Sequence, residues 1–214
     1  MELQIPTTMS SANAELARLF NVLYTDANQA FERALRDESA RREYVRAVFA
    51  LVEGITFAMK QCALASKNVE FTESERQLLK EHEHVLDENG RVHVRKARLK
   101  TTANTRFGLE SFARTCRHSR RPNVSGDGWQ AFKKALLLRD RLTHPKNAAS
   151  LQVTDGELLD VTRARSWFTV TFVGLLLEDV LALNALLKNP IEDGQGELQD
   201  LLQRSPDYPT QAEP

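Results

Sequence analysis

Cysteine, glycine and proline are all scarce in this chain: two, nine and seven among 214 residues. Each scarcity excludes something. Cys62 and Cys116 stand far apart and in no metal-ligand spacing, so they read as buried free thiols rather than a disulfide framework. Few glycines and prolines, with no short period, exclude collagen-like and low-complexity chains. Net charge is missing as well. Twenty-nine Lys+Arg balance 29 Asp+Glu, which argues against a protein that coats nucleic acid by bulk charge. The longest apolar stretch, Trp167 to Leu187, is interrupted by Glu178, Asp179 and Asn184 and reads as a buried helix, not a membrane span. Met1 to Pro6 lacks the basic residues and apolar run of a secretory leader, so the expectation is a cytoplasmic protein. Enzyme signatures are lacking too: there is no glycine-rich phosphate loop, no Gly-x-Ser-x-Gly elbow, no Cys-x-x-Cys and no His-Glu-x-x-His.

What is present is helical periodicity. Leu16, Leu19, Phe20, Leu23, Ala27, Phe31 and Leu35 recur at three- and four-residue steps, predicting a helix over 15–35. A longer, more apolar helix is expected over 40–66. Thr72-x-x-Glu75 has capping-box spacing and opens a short helix reaching about Glu83. On such a helix His82 and His84 of Glu81-His82-Glu83-His84 point to different faces, and the group reads as a solvated helix end. His84–Leu86 and Arg91–Val94 flank Asp87-Glu88-Asn89-Gly90, a strong hairpin turn. Further helices are expected over 97–116 and from Trp129 to about Thr143, where Pro145 bars helix in the residue before it. Thr154-x-x-Glu157 opens the last long helix, to about Leu187. The fold class is therefore mainly all-α: an up-and-down bundle of four to five main helices with one small inserted β-hairpin. Residues 1–190 form a single domain and 191–214 a mostly irregular tail. The second and last helices are apolar over more surface than one seam needs, which favours a homodimer.

Chemistry concentrates in Leu138-Arg139-Asp140-Arg141-Leu142-Thr143-His144-Pro145, a polar cluster at a helix end whose exit a proline fixes. Arg139 is a permanent planar cation that matches phosphate oxygens bidentately. His144, five residues on, exchanges a proton near neutrality. An unwinding last turn brings both to one pole. Together they form a minimal set for RNA transesterification: the histidine moves the proton of the 2′-hydroxyl or of the leaving 5′-oxygen, and the arginine stabilises charge on the phosphorus centre. The plainer alternative has His144 capping a carbonyl and Arg139 pairing with a nearby acid. Glu53, an acid in a strongly apolar helix, is a candidate to orient Arg139 or His144, with a structural ion pair as the alternative. Lys60, seven residues further, lies on nearly the same face.

Arg139-Asp140-x-x-x-His144, at a helix end and followed by proline, resembles the Arg-x4–6-His motif of the HEPN superfamily (higher eukaryotes and prokaryotes nucleotide-binding domain). The order of elements over roughly residues 10–190 is similar as well, with Val52-Glu53-Gly54 in an early helix and an apolar helix after the motif. The hairpin at Asn89-Gly90 is not general in that superfamily. The resemblance implies a dimeric helical bundle in which two motifs face one composite cleft. It also implies metal-independent endoribonuclease activity leaving a 2′,3′-cyclic phosphate, as in toxin–antitoxin systems, antiviral defence or RNA processing. Arg139 and His144 would be the catalytic pair, with Asp140 orienting the arginine or the RNA and Thr143 and Arg141 within reach of phosphate. No cofactor is implied. RNA and a second copy are the expected partners, with an antitoxin or defence protein as a further one. The alternative within the same resemblance is a non-catalytic module that binds RNA, a nucleotide or a protein.

Charge distribution adds a separate line. Residues 91–121 hold ten Lys+Arg (Arg91, Arg95, Lys96, Arg98, Lys100, Arg106, Arg114, Arg117, Arg120, Arg121) against one acid, Glu110. Local density of this kind suits phosphate contacts better than a basic total does.

Overall fold

The computed structural model describes residues 11–116 and 121–177, and the expected tail over 191–214 lies outside them. Helices dominate, as the periodicity predicts: α1 (Ser11–Ala34), α2 (Arg41–Ala65), α3 (Glu73–Leu79), α4 (Thr101–Thr115) and α5 (Asp127–Thr143). The last helix, α6, runs over 155–177 within the described residues. One antiparallel hairpin, β1 (His82–Leu86) and β2 (Val92–Lys96), and a 3-10 turn (Ala148–Leu151) complete the chain.

α2 is the central element. Tyr44, Val45, Val48, Leu51, Val52, Ile55 and Met59 are buried on it, against α1 on one side and α4 and α5 on others. By length and composition α2 could cross a membrane, yet 61% of its apolar window is buried inside the protein, the position of a core helix. Two glycines allow the close approaches. A Cβ at Gly54 would meet Leu23 Cδ1 of α1 at 2.8 Å, and one at Gly108 of α4 would meet Thr56 Cγ2 at 2.8 Å. α6 buries Val161, Ala164, Phe168 and Phe172 in the same core. Aromatic contacts run from Phe49 of α2 through Phe132 and Trp129 of α5 to Trp167 of α6. Each fully buried side chain of this size contributes about 1.5–3 kcal/mol. Cys62 and Cys116 are buried and form no disulfide among the described residues, and burial pushes the Cys62 thiol up to about 11.

The departures from periodicity cluster around the hairpin. The capping box forms as expected: the Thr72 hydroxyl accepts from Glu75 N–H, and Glu75 accepts from Thr72 N–H. The helix it starts nevertheless ends at Leu79 rather than near Glu83. Glu81 adopts φ 58°, and its carbonyl accepts from Ala97 N–H at 2.7 Å. Long-range bonding thus converts 82–83 from helix end to the start of the strand expected from His84, which places His82 and His84 on one face. Among the described residues no third His, Cys, Asp or Glu joins them as a potential ligand set. The turn differs in detail too. Only Gly90 has positive φ (72°), Gly90 N–H bonds Asp87 O, and Asp87 N–H bonds Arg91 O. That is a three-residue hairpin loop closed by a glycine bulge, not a two-residue Asn-Gly turn. Because the ribbon continues to Lys96, α4 begins at Thr101 instead of Ala97.

Candidate functional site

The site is assembled by α2 and the end of α5. Arg139, on the last full turn of α5, reaches across to α2, where its Nη2 donates to Glu53 Oε1 at 2.8 Å. Its Nη1 donates to Asp140 Oδ1 at 3.2 Å, and its guanidinium lies 5.9 Å from the centre of the Phe49 ring. Two carboxylates and one aromatic face therefore fix the fork. The pair is only half withdrawn from water, with side-chain exposures of 32% for Arg139 and 45% for Glu53. A shallow cleft of about 280 Å³ opens beside it, walled by Arg46, Ala50, Glu53, Arg139 and Thr143.

Pro145 sets the exit. The residue before a proline is driven out of the α region, and His144 accordingly sits at φ −124°, ψ 63° while its N–H still bonds Asp140 O at 3.0 Å. His144 is exposed, and its ring has no hydrogen-bond partner among the described residues. It does not line the cleft that holds Arg139. Within one chain, then, Glu53, Arg139 and Asp140 are brought together, with Thr143 at the rim and His144 just beyond. Thr143 turns its hydroxyl back to Arg139 O at 2.8 Å. Arg141 faces away from this group: it donates to Glu157 Oε1 at 2.7 Å and to Gln152 O at 2.9 Å, tying α5 to the start of α6. Arg141 thus belongs to the contact between α5 and α6 and not to the Glu53–Arg139 group.

Two features escaped the sequence reading. Arg46 is exposed, carries no ion pair among the described residues and shares the cleft with Arg139. Its position seven residues before Glu53 was the available signal. Lys60 is the other. It is wholly buried, yet its ammonium donates to Glu81 Oε1 at 2.6 Å and to Asn104 Oδ1 at 2.8 Å. Burial lowers the Lys60 pKa, opposed by the Glu81 carboxylate. Burial works to raise the Glu81 pKa, but the bond and charge of Lys60, aided by Lys96, outweigh it and hold the carboxyl below its ordinary value.

The basic segment is less bare than its count implies. Arg95 pairs with Glu83, Arg106 with Glu110, and Arg114 with Glu75 over the Phe71 ring. Lys96 stands 3.7 Å from Glu81. Arg91, Arg98, Lys100 and Arg121 are exposed, with no side-chain ion pair among the described residues. Arg117 and Arg120 lie outside the described residues. Comparison with known proteins yields no matching family model, no matching curated protein and no matching solved structure.

Proposed function

We propose that this protein is a metal-independent endoribonuclease of HEPN type, acting as a cytoplasmic homodimer. The observation that carries the reading is Arg139: a guanidinium pre-oriented by Glu53, Asp140 and Phe49, one-third open to solvent at a cleft bordered by a second arginine that is unpaired among the described residues. An arginine held in this way loses little freedom on engaging a phosphate. His144 projects from the same helix end with its ring unengaged, as a proton-transfer group requires.

In the reaction, the 2′-oxygen attacks the adjacent phosphorus, forming the 2′-O–P bond as the P–O5′ bond breaks. One imidazole accepts the 2′-hydroxyl proton and a protonated imidazole supplies one to the departing 5′-oxygen. Arg139 engages the non-bridging oxygens as charge grows on them. Two motifs facing one cleft supply both imidazoles. Leu137, 71% exposed and seven residues before His144 on the same face of α5, offers an apolar contact for a second copy beside the motif.

The test is substitution. His144→Ala and Arg139→Ala are each expected to abolish RNA cleavage while leaving fold and dimer intact; retained cleavage in both overturns the assignment. A second reading, a HEPN-like module that binds RNA without cutting it, draws on one observation: His144 stands outside the cleft that contains Arg139. It predicts salt-dependent RNA binding with no cyclic-phosphate product.

A further inference from the structure

A second cleft, of about 390 Å³, lies along α2 next to the first, and Glu53 forms a wall of both. Its other walls include Thr56, Glu81, Lys96, Thr101 and Asn104. Thr101 is the first residue of α4, and this helix begins without a cap. Lys100 at the N-cap makes no side-chain hydrogen bond, and no acidic residue stands in the first turn. The N–H groups of Thr101, Thr102 and Ala103 have no acceptor among the described residues, and the helix dipole adds positive potential there. A second feature points the same way. Thr56, 1% exposed, lines the cleft, and its buried Oγ1 has no hydrogen-bond partner among the described residues. Unmade bonds of this kind cost free energy unless something else makes them.

Lys96 is the one cation among the described residues that line the cleft, beside the carboxylates of Glu53 and Glu81. Lys60 and Glu81 neutralise each other at 2.6 Å, fixed further by Asn104. Lys96, at 3.7 Å from Glu81 and 83% exposed, is a second cation against that one carboxylate. Glu53 is already occupied by Arg139. Glu53 and Thr56 are three residues apart on α2, a rise of about 5 Å, so the two clefts follow one another along the helix.

We propose that this cleft is a second phosphate subsite. It takes the backbone phosphate of an RNA nucleotide neighbouring the one engaged by Arg139, through the α4 N-terminal amides, Thr101 and Lys96. The inference rests on the RNA reading above and adds where the strand runs: along α2, from Arg46 past Glu53 to the start of α4. Lys60 is buried beneath it and holds Glu81, which forms part of its wall.

The experiment uses the full-length His144→Ala protein and a single-stranded RNA octamer, with affinity measured over a range of salt. Thr101→Glu is the informative variant, because a carboxylate at this position favours the helix while repelling phosphate. Binding is expected to weaken about tenfold, with the slope of log K against log[salt] falling by about 0.7, at equal or higher Tm. Lys96→Gln is expected to act in the same direction. Unchanged affinity and slope in both, while Arg139→Gln still weakens binding, overturns the subsite. Titration with inorganic phosphate, read at the amide resonances of residues 101–103, separates the two failures. Shifts there with no RNA bound by the parent protein overturn the RNA reading and support an anion site. RNA binding with no such shifts overturns the subsite alone.

Discussion

Two ion pairs leave nearly the same face of α2, seven residues apart, and they are built differently. Lys60–Glu81 is closed: the ammonium is wholly buried, shared with Asn104 and covered by the turn at Glu81. Glu53–Arg139 is open, with a third of the arginine and nearly half of the glutamate in water. A buried pair cannot be exchanged for a ligand without stranding a charge in the interior. A half-exposed pair stabilises the fold little but holds its arginine where an incoming phosphate can compete for the free edge of the fork. The first serves the fold, and the second has the openness that the role proposed for Arg139 requires.

The largest expected effect on that division is at His144. His144→Ala should lower single-turnover RNA cleavage by about 10³-fold, the scale of lost proton transfer, at unchanged Tm. A matching fall in Tm would instead make His144 a structural cap. Next comes the closed pair. Glu81→Gln strands the Lys60 ammonium and should cost about 3 kcal/mol in urea unfolding. The double variant Lys60→Met/Glu81→Gln should recover most of that loss, and a cost of only a few tenths for Glu81→Gln would show the pair to be as open as its neighbour. Glu53→Gln should lie on the other side of the comparison. About 0.5 kcal/mol of stability and about tenfold in cleavage are expected, because the arginine keeps its place over Phe49 but loses a charged anchor.

The smallest effect is local to the hairpin. Asp87 accepts from His93 and from the N–H groups of Arg91 and Asn89, and these bonds, His93 first, hold its carboxyl below the ordinary value of 3.8. A depressed carboxylate stabilises the folded form above its unfolded value and loses that contribution as pH falls through the folded one. Amide protection at Asn89 and Arg91 should therefore drop in acid before that of α2, and equal acid sensitivity in both would contradict it.

How much of this was legible in the sequence follows the range of the interactions. α1 was readable from three- and four-residue steps, since a helix buries a face set by its own period, and α2 and α6 from the apolar stretches of a buried helix. Both capping boxes, at Thr72 and Thr154, were readable because four residues define them. The hairpin was readable from its turn, with a strand from His84, but residues 82 and 83 were not. Their state depends on the bond from Ala97 to Glu81 and on the Lys60–Glu81 pair, and local spacing holds no record of either. At the candidate site, Arg139, Asp140 and Glu53 could be named in advance, but only the packing of α5 on α2 chose Glu53–Arg139 among the pairings open to Glu53. Arg141 shows the same limit in reverse: its neighbours in sequence suggested phosphate, and Glu157 claimed it.

The most direct test of the central claim is the chemistry of the product ends. RNA incubated with the purified protein in excess EDTA, followed by mass spectrometry of the fragments, should show 2′,3′-cyclic phosphates on the upstream pieces and 5′-hydroxyls on the downstream ones. The Arg139→Ala and His144→Ala proteins should yield neither. Cleavage that EDTA stops, fragments ending in 5′-phosphate, or equal product from the two variants would contradict the account.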